Sequence, residues 1–404
     1  MWFFVVKSVR LWYILKLPQL NHNINISIIA IGVKQDMIAK RLKTISSSAT
    51  LDITLKAKTL KKNGFDVVNF AGGEPDFDTP QYIKKAAIEA INKGFTKYTP
   101  ATGTPELKAA ISEKFKADNG LDYKPGQIAV SCGAKHSLYN IFQAICDRDD
   151  EVLLPSPYWL SYPEMIKLSD AVPVVVSPDD KTSKVTAAIL EKYATKKTKA
   201  LVINSPSNPT GVVYTERELR DLADFAVSHN IFVISDEIYE KLIYDGLKHV
   251  SIASFNEKIY SLTFVVNGVS KSYSMTGWRI GYLAGREDIV KAIASFQSHS
   301  TSNPASISQA AALAALTVDD PAPALMVKEF EKRRNILIKG LAEIKELKCN
   351  KPEGAFYCFV DISKTGMDPT TFSRKLLDEE YIATIPGEPF GSTQHVRLSF
   401  ATGI

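Results

Sequence analysis

The chain has 404 residues, 45% hydrophobic and 23% charged, and its 49 basic and 44 acidic side chains leave a formal net charge of +5. The charges are spread without a long basic block, which argues against a nucleic-acid partner, and a chain of this length can bury a core without disulfide or metal staples. Cys132, Cys146, Cys349 and Cys358 lack Cys-x-x-Cys spacing, and the six histidines form no ligand pair. Reduced thiols in a cytoplasmic compartment and the absence of a metal site are therefore expected.

Residues 1–36 do not conform to the rest. Their aromatic and aliphatic run is broken by Lys7, Arg10 and Lys16, and no acid precedes Asp36. Cations at that frequency exclude stable insertion across a bilayer. The segment reads as a non-essential extension before Met37, with organelle import through it left open.

From about residue 37 helical and strand patterns alternate. Helical spacing covers 81–93. A second helix covers 104–119, with Thr104 as N-cap, Pro105 in the first turn and Gly120 past the end. Strand-like runs follow at Ile128–Ser131, Glu151–Pro155, Val172–Val176, Ala200–Asn204, Ile231–Ser235, Ser261–Val266 and Ile280–Ala284, with helical stretches such as 215–229 between most of them. This alternation predicts an α/β fold, a mostly parallel sheet covered by helices on both faces. After about residue 320 a long charged helix (323–346), a strand-like stretch Ala355–Ile362, a helix near 370–380 and a last strand around His395–Phe400 predict a smaller α+β unit.

Four polar signatures sit at strand ends, where open α/β sheets place their ligands. They are Gly268-Val269-Ser270-Lys271 with Gly277-Trp278-Arg279-Ile280-Gly281, Ser235-Asp236-Glu237-Ile238-Tyr239, Asn204 through Gly211, and Ser131-Cys132-Gly133-Ala134-Lys135. Each alone has an ordinary explanation. A lysine after a strand is usually a solvated charge, Asp-Glu a turn or cap, and Asn-Pro-Thr-Gly a turn. Together they suit one aldehyde cofactor with a pyridine ring and a phosphate. Lys271 supplies the amine for a Schiff base and then a general base at the substrate α-carbon. Asp236 keeps the ring nitrogen protonated, and Tyr239 and Asn208 bond the ring oxygen. Arg279 and the helix start at Gly133, Ala134 and Lys135 take the phosphate.

The sequence resembles the class I aminotransferases of pyridoxal-phosphate fold type I, nearest the aspartate/prephenate subgroup. The resemblance runs from about Met37 to the last residue, and further motifs carry it: Ala71 through Pro80, Lys97-Tyr98-Thr99-Pro100, Ser156-Pro157-Tyr158-Trp159 and His395-Val396-Arg397-Leu398-Ser399. It implies a large domain (81–319) with a seven-stranded sheet and a small domain made of 37–80 and 320–404. It implies pyridoxal 5'-phosphate as cofactor, bound by Lys271, Asp236, Asn208, Tyr239, Arg279 and Gly133–Lys135, with Trp159 against the ring. Arg397 is implied as the fork for the substrate α-carboxylate, and Gly73 as a point of close backbone approach. Tyr98 is implied to reach the phosphate of a partner subunit, making a homodimer with shared sites.

Lys135 and Thr50 resemble the pair that meets the distal carboxylate of acidic substrates, so the expected reaction moves an amino group between aspartate or glutamate and a 2-oxo acid. Prephenate or a broader aromatic range is the alternative acceptor class, a pyridoxal lyase on the same fold is a second alternative, and a non-catalytic pyridoxal-phosphate sensor is the reading from another class. Family members usually continue past the position of Ile404 with a helix, so a truncated C-terminus is expected, with Arg397 loosened and cofactor binding surviving better than turnover.

Overall fold

The computed structural model describes residues 38–46, 49–179 and 182–403, without the side chains of residues 40 and 49–52. The reading of residues 1–36 lies outside the described residues. By its contacts the chain up to Lys43 is one unit, and Thr44–Ile404 is another, which holds every strand described.

Seven strands form the main sheet: β1 (Ile128–Ser131), β2 (Glu151–Pro155), β3 (Val172–Val176), β4 (Thr198–Asn204), β5 (Phe232–Asp236), β6 (Thr263–Gly268) and β7 (Gly281–Ala284), in the order β1-β7-β6-β5-β4-β2-β3. Only β7 runs against its neighbours. The other ladders are parallel. The mostly parallel seven-stranded sheet expected from the sequence is present, with β6 starting two residues late because the helix Glu257–Leu262 runs through Ser261 and Leu262.

Alternation along the strands sends side chains to opposite faces, and both are buried, as a covered parallel sheet requires. Ala129, Val152, Leu154, Val202, Ile234 and Phe264 pack under one layer of helices. On the opposite side Val130, Val265 and Tyr282 meet the helices around Ile111 and Ala311, while Leu201 and Val233 meet the helix Glu216–His229. Local chemistry fixes several helix ends. Thr104 accepts from the Leu107 N–H, Pro105 opens the helix Pro105–Asn119, and Gly120 closes it in the left-handed region at φ 67. Thr215 and Glu218 form a reciprocal capping box on Glu216–His229.

A second sheet of four strands has the order β10-β11-β9-β8, where β8 is Lys348–Cys349, β9 Tyr357–Asp361, β10 Ile385–Pro386 and β11 His395–Ser399. A short parallel ladder pairs Val68–Asn69 with Ile382–Ala383, so an early segment of the chain joins a late one. The long helix Ala322–Ala342 stops four residues before the expected 346. It is tied to the loop after β5 by Arg334, fully buried, whose guanidinium forks onto Asp245 at 2.9 Å and also reaches the Pro352 carbonyl.

Replacing Thr215 by Ala removes the side-chain acceptor of the Glu218 N–H and the hydroxyl donor to the Glu218 carboxylate, and leaves the backbone N–H of position 215 on that carboxylate. A loss of about 1 kcal/mol is expected in urea unfolding, with activity unchanged.

Candidate functional site

Ladder register sets the site before any side chain does. Asn204 pairs with Asp236 across β4 and β5, Gly268 pairs with Gly281 across β6 and β7, and Gly281 pairs with Ser131 of β1. All four signatures thus leave the sheet along one edge, and they open onto a cavity of about 650 Å³.

Asp236, the last residue of β5, is 4% exposed. Its Oδ2 accepts the Tyr162 hydroxyl at 2.7 Å and its Oδ1 the Ile238 N–H at 3.3 Å. Burial pushes the carboxyl up to about 6, and these two donors pull against that rise. Asn204 ties the neighbouring strand end into place. Its Nδ2 donates to the Asp236 carbonyl at 2.9 Å, and its Oδ1 accepts the Asn208 N–H at 2.8 Å, which fixes where Asn208 enters the cavity.

Lys271 stands in the cavity wall after β6 and donates to the Gly73 carbonyl at 2.5 Å. Its ammonium lies 5.6 Å from the Phe356 ring centre and 5.9 Å from that of Tyr239. Burial lowers its pKa to about 8, opposed by the charge of Glu74 and assisted by Arg397 and Arg279. A surface lysine would hold its proton far more tightly.

Arg279 and the helix Ala134–Ile145 form an anion cradle. Arg279 is non-glycine yet left-handed (φ 54, ψ 52), a strained backbone state that clusters at functional positions. Its Nη1 donates to the Thr276 carbonyl at 2.8 Å, which turns the guanidinium toward Gly133. Gly133 has φ 91, and a Cβ there would overlap that guanidinium. Among the described residues no side chain caps this helix start, leaving backbone N–H groups and the positive end of the helix dipole beside Arg279. Gly281 is required by the same junction, because a Cβ on it would collide with the backbone of Gly133 and Ala134.

Arg397 comes from β11 of the smaller sheet and is 2% exposed. It donates to Asn208 Oδ1 at 3.0 Å and to the Ala71 carbonyl at 3.2 Å, its Nε has no hydrogen-bond partner among the described residues, and its guanidinium carbon lies 4.4 Å from the centre of the Tyr357 ring. The Tyr357 hydroxyl shares a 3.0 Å hydrogen bond with that of Tyr239. Across the cavity the Lys135 ammonium sits 4.9 Å over Trp159, and burial lowers its pKa.

The structure brings Lys271, Asp236, Tyr239, Asn208, Arg279 and Arg397 to one cavity, with Gly73, Ala134, Lys135 and Trp159 in its wall and Gly133 directly behind Arg279. Tyr98 does not line it and is 89% exposed. Thr50 belongs to the helix Ala49–Lys62, but its side chain lies outside the described residues. Sequence reasoning assigned no role to Tyr162, Tyr357 or Asn204. The first two read as apolar filler in a helix and a strand, whereas Asn204 stood inside a motif already singled out.

Residues 66–403 match the family model for aminotransferase class I and II. The chain belongs to this family. It is 51% identical over 373 residues to the aspartate aminotransferase of Bacillus subtilis, covering 91% of this chain and 95% of that one. It is 48% identical to a probable aspartate/prephenate aminotransferase of Aquifex aeolicus, over 90% of this chain and 94% of the relative. Among solved structures, the aspartate aminotransferase of Rhizobium meliloti superposes with a TM-score of 0.87 at 39% identity, covering 91% and 95% of the two chains. That of Thermus thermophilus with maleate gives 0.86 at 42% identity, with the same coverage. Membership of the class I and II aminotransferases implies pyridoxal phosphate, an amino acid and a 2-oxo acid. The residues present fit that cofactor: an uncapped helix start and an arginine for a phosphate, a buried carboxylate for a ring nitrogen, and an amine of lowered pKa between them.

In the protein freed of cofactor, reductively methylated Lys271 should titrate near the value of about 8 that burial gives it, rather than in the ordinary lysine range, when followed by carbon NMR. Gly281→Ala should weaken pyridoxal-phosphate affinity by roughly tenfold or more through displacement of the Gly133–Ala134 backbone, measured by equilibrium binding.

Proposed function

We propose that this chain is an aspartate aminotransferase, moving the amino group of aspartate or glutamate to a 2-oxo acid. The observation that carries the reading is a lysine of lowered pKa facing a buried carboxylate, with an anion cradle and a buried arginine on the same cavity. Bound pyridoxal phosphate supplies the sink for the electrons left at the substrate α-carbon when its proton departs. The chain's own residues do the rest. Lys271 holds the cofactor through its amine and, once released, carries the proton to and from the α-carbon. Asp236 balances a protonated ring nitrogen, Asn208 and Tyr239 donate to the ring oxygen, and Trp159 lies on the ring face. Arg279 and the N–H groups of Ala134 and Lys135 hold the phosphate, while Gly133, whose own N–H donates to the Ser131 carbonyl, gives the turn that lets the phosphate approach.

For the substrate, Arg397 receives the α-carboxylate on a planar fork. Its existing bonds to Asn208 and Ala71 support that orientation. Gly73 allows close approach. Lys135, held over Trp159, with Thr50, takes the distal carboxylate. Tyr98 lies outside the lining of its own cavity and is 89% exposed, which supports a homodimer in which it serves the partner's phosphate. The separate sheets, and the pairing of Val68–Asn69 with Ile382–Ala383, support the division into a large domain over 81–319 and a small one that joins the part of 37–80 from Thr44 onward to 320–404. Four free cysteines suit a reducing cytoplasm. Among the described residues no single helix is long and apolar enough to cross a membrane.

Purified protein should show the visible band of bound pyridoxal phosphate, which aspartate converts to that of the pyridoxamine form with release of oxaloacetate. Release of an elimination product instead would mark a lyase. Lys271→Ala should abolish turnover while the protein stays folded by circular dichroism; retained turnover would refute the assignment. Prephenate is the second acceptor to assay, on the 48% identity to the Aquifex relative. Lys135→Ala should reduce kcat/KM for aspartate about 10- to 100-fold relative to a neutral amino acid, the range expected for losing one recognition contact.

A further inference from the structure

Few groups face the Asp236 carboxylate. The Tyr162 hydroxyl, from the helix Ser161–Leu168, donates to Oδ2 at 2.7 Å, and the Ile238 N–H reaches Oδ1. Glu237, next on the same segment, drives the carboxyl toward protonation, and Lys271, beyond β6, opposes it. Tyr239 faces it as a neutral phenol. Burial is the largest influence, and it favours the neutral acid. Tyr162 is 1% exposed, and burial followed by the charge of Asp236 holds its own pKa well above the usual tyrosine value, so it remains a donor throughout the working range. The same ring meets Trp159 edge-on at 5.4 Å, and Trp159 carries Lys135 on its face.

We propose that Tyr162 is a positioning residue that keeps the Asp236 carboxylate ionised and aimed into the cavity, where it meets the ring nitrogen of pyridoxal phosphate. The inference rests on the cofactor role given to Asp236 above. A phenol suits the task better than a cation. Lysine or protonated histidine would also favour the carboxylate, but would place a second positive charge beside a protonated ring nitrogen. A neutral donor stabilises the anion and leaves its charge available. Geometry adds a second function. The Tyr162 bond fixes the plane of the carboxylate, and its edge contact fixes the Trp159 ring, so the partner of the ring nitrogen and the wall of the substrate pocket share one support.

The test uses full-length protein, with and without cofactor. Pyridoxal-phosphate affinity is measured by tryptophan fluorescence quenching from about pH 5 to about pH 8.5, a range that brackets the Asp236 carboxyl. A carboxyl of raised pKa is ionised only above that pKa, so a further rise moves the loss of affinity to higher pH. Tyr162→Phe keeps the ring and its packing and removes only the donor. Its midpoint should rise by about one pH unit, a tenfold change in the ionised-to-protonated ratio, or about 1.4 kcal/mol. At the alkaline end the two proteins should bind within about threefold of each other. A loss of equal size at every pH, or an unmoved midpoint, overturns the proposal. If Tyr162→Phe fails to fold, 3-fluorotyrosine in place of Tyr162 preserves the shape with a stronger donor. Its midpoint should fall, and an unmoved one is equally fatal. Asp236→Asn separates this inference from the reading beneath it. If that variant binds with the wild-type pH profile, the role of Asp236 fails. If it abolishes the pH dependence while Tyr162→Phe leaves the midpoint unmoved, only the role of Tyr162 fails.

Discussion

The constraint on which the site depends is the register at the C-terminal end of the parallel strands, where Asn204 pairs with Asp236, Asp236 with Val266 two residues before Gly268, and Gly281 with both Gly268 and Ser131. Parallel strands deliver their C-terminal ends to the same edge, which brings Asn208, Asp236 and Lys271 together from three separate crossovers. Arg279 precedes its strand instead of following one. It reaches the same edge only because β7 runs antiparallel, so that its first residue lies beside the last residues of β1 and β6. The reversed strand is therefore part of the chemistry. A slip of one residue in the β6–β7 ladder would turn Val266 and Leu283 away from their buried faces, so core packing protects the register that the cavity uses.

Burial then acts in opposite directions on the two central ionisable groups. It raises Asp236 to about 6 and lowers Lys271 to about 8, because in each case the charged form is penalised. The two values approach each other from opposite ends of the scale. An amine near 8 can lose a proton at working pH, and a carboxyl held near 6 by burial against its two donors still carries charge there. These are the properties that a covalently held cofactor and an ion-paired ring require. They come from the depth of the strand edge rather than from any unusual residue.

Much of this was legible in the sequence. The seven strand-like runs stand close to where they were expected, because strands buried on both faces read as short apolar runs closed by Gly, Pro, Asn or Asp. The helix Pro105–Asn119 was bounded to the residue, since Thr104, Pro105 and Gly120 each have a local reason to be where they are. The start of β6 was misplaced for an opposite reason. Ser261 and Leu262 have no strong local preference, and the Asn256 cap carries the helix through them. Polar residues at strand ends announced themselves as candidates. Tyr162 and Tyr357 did not, because an aromatic inside an apolar pattern is indistinguishable from core until its hydroxyl is seen to have a partner. The place of Arg397 came from resemblance, and nothing in the spacing alone links a C-terminal arginine to an asparagine 189 positions earlier.

Arg397 also shows how far the unliganded arrangement is complete. Its guanidinium is buried, yet among the described residues no carboxylate is hydrogen-bonded to it; its neighbours are Asn208 Oδ1, the Ala71 carbonyl and the faces of Tyr357 and Phe390. Burial lowers its pKa, although an arginine keeps its proton through such a shift. A buried charge compensated only by dipoles and ring faces retains part of its desolvation cost. A ligand carboxylate arriving on the open side of the fork would recover that cost. The free Nε marks the same deficit in hydrogen-bond terms, as an unpaired buried donor. The Arg397 guanidinium originates on β11 of the smaller sheet, whereas Asp236, Lys271 and Arg279 lie at strand ends of the larger one. Tyr357 on β9 meets Tyr239 after β5 through a hydrogen bond between their hydroxyls, so the two sheets are joined beside the groups proposed for both cofactor and substrate.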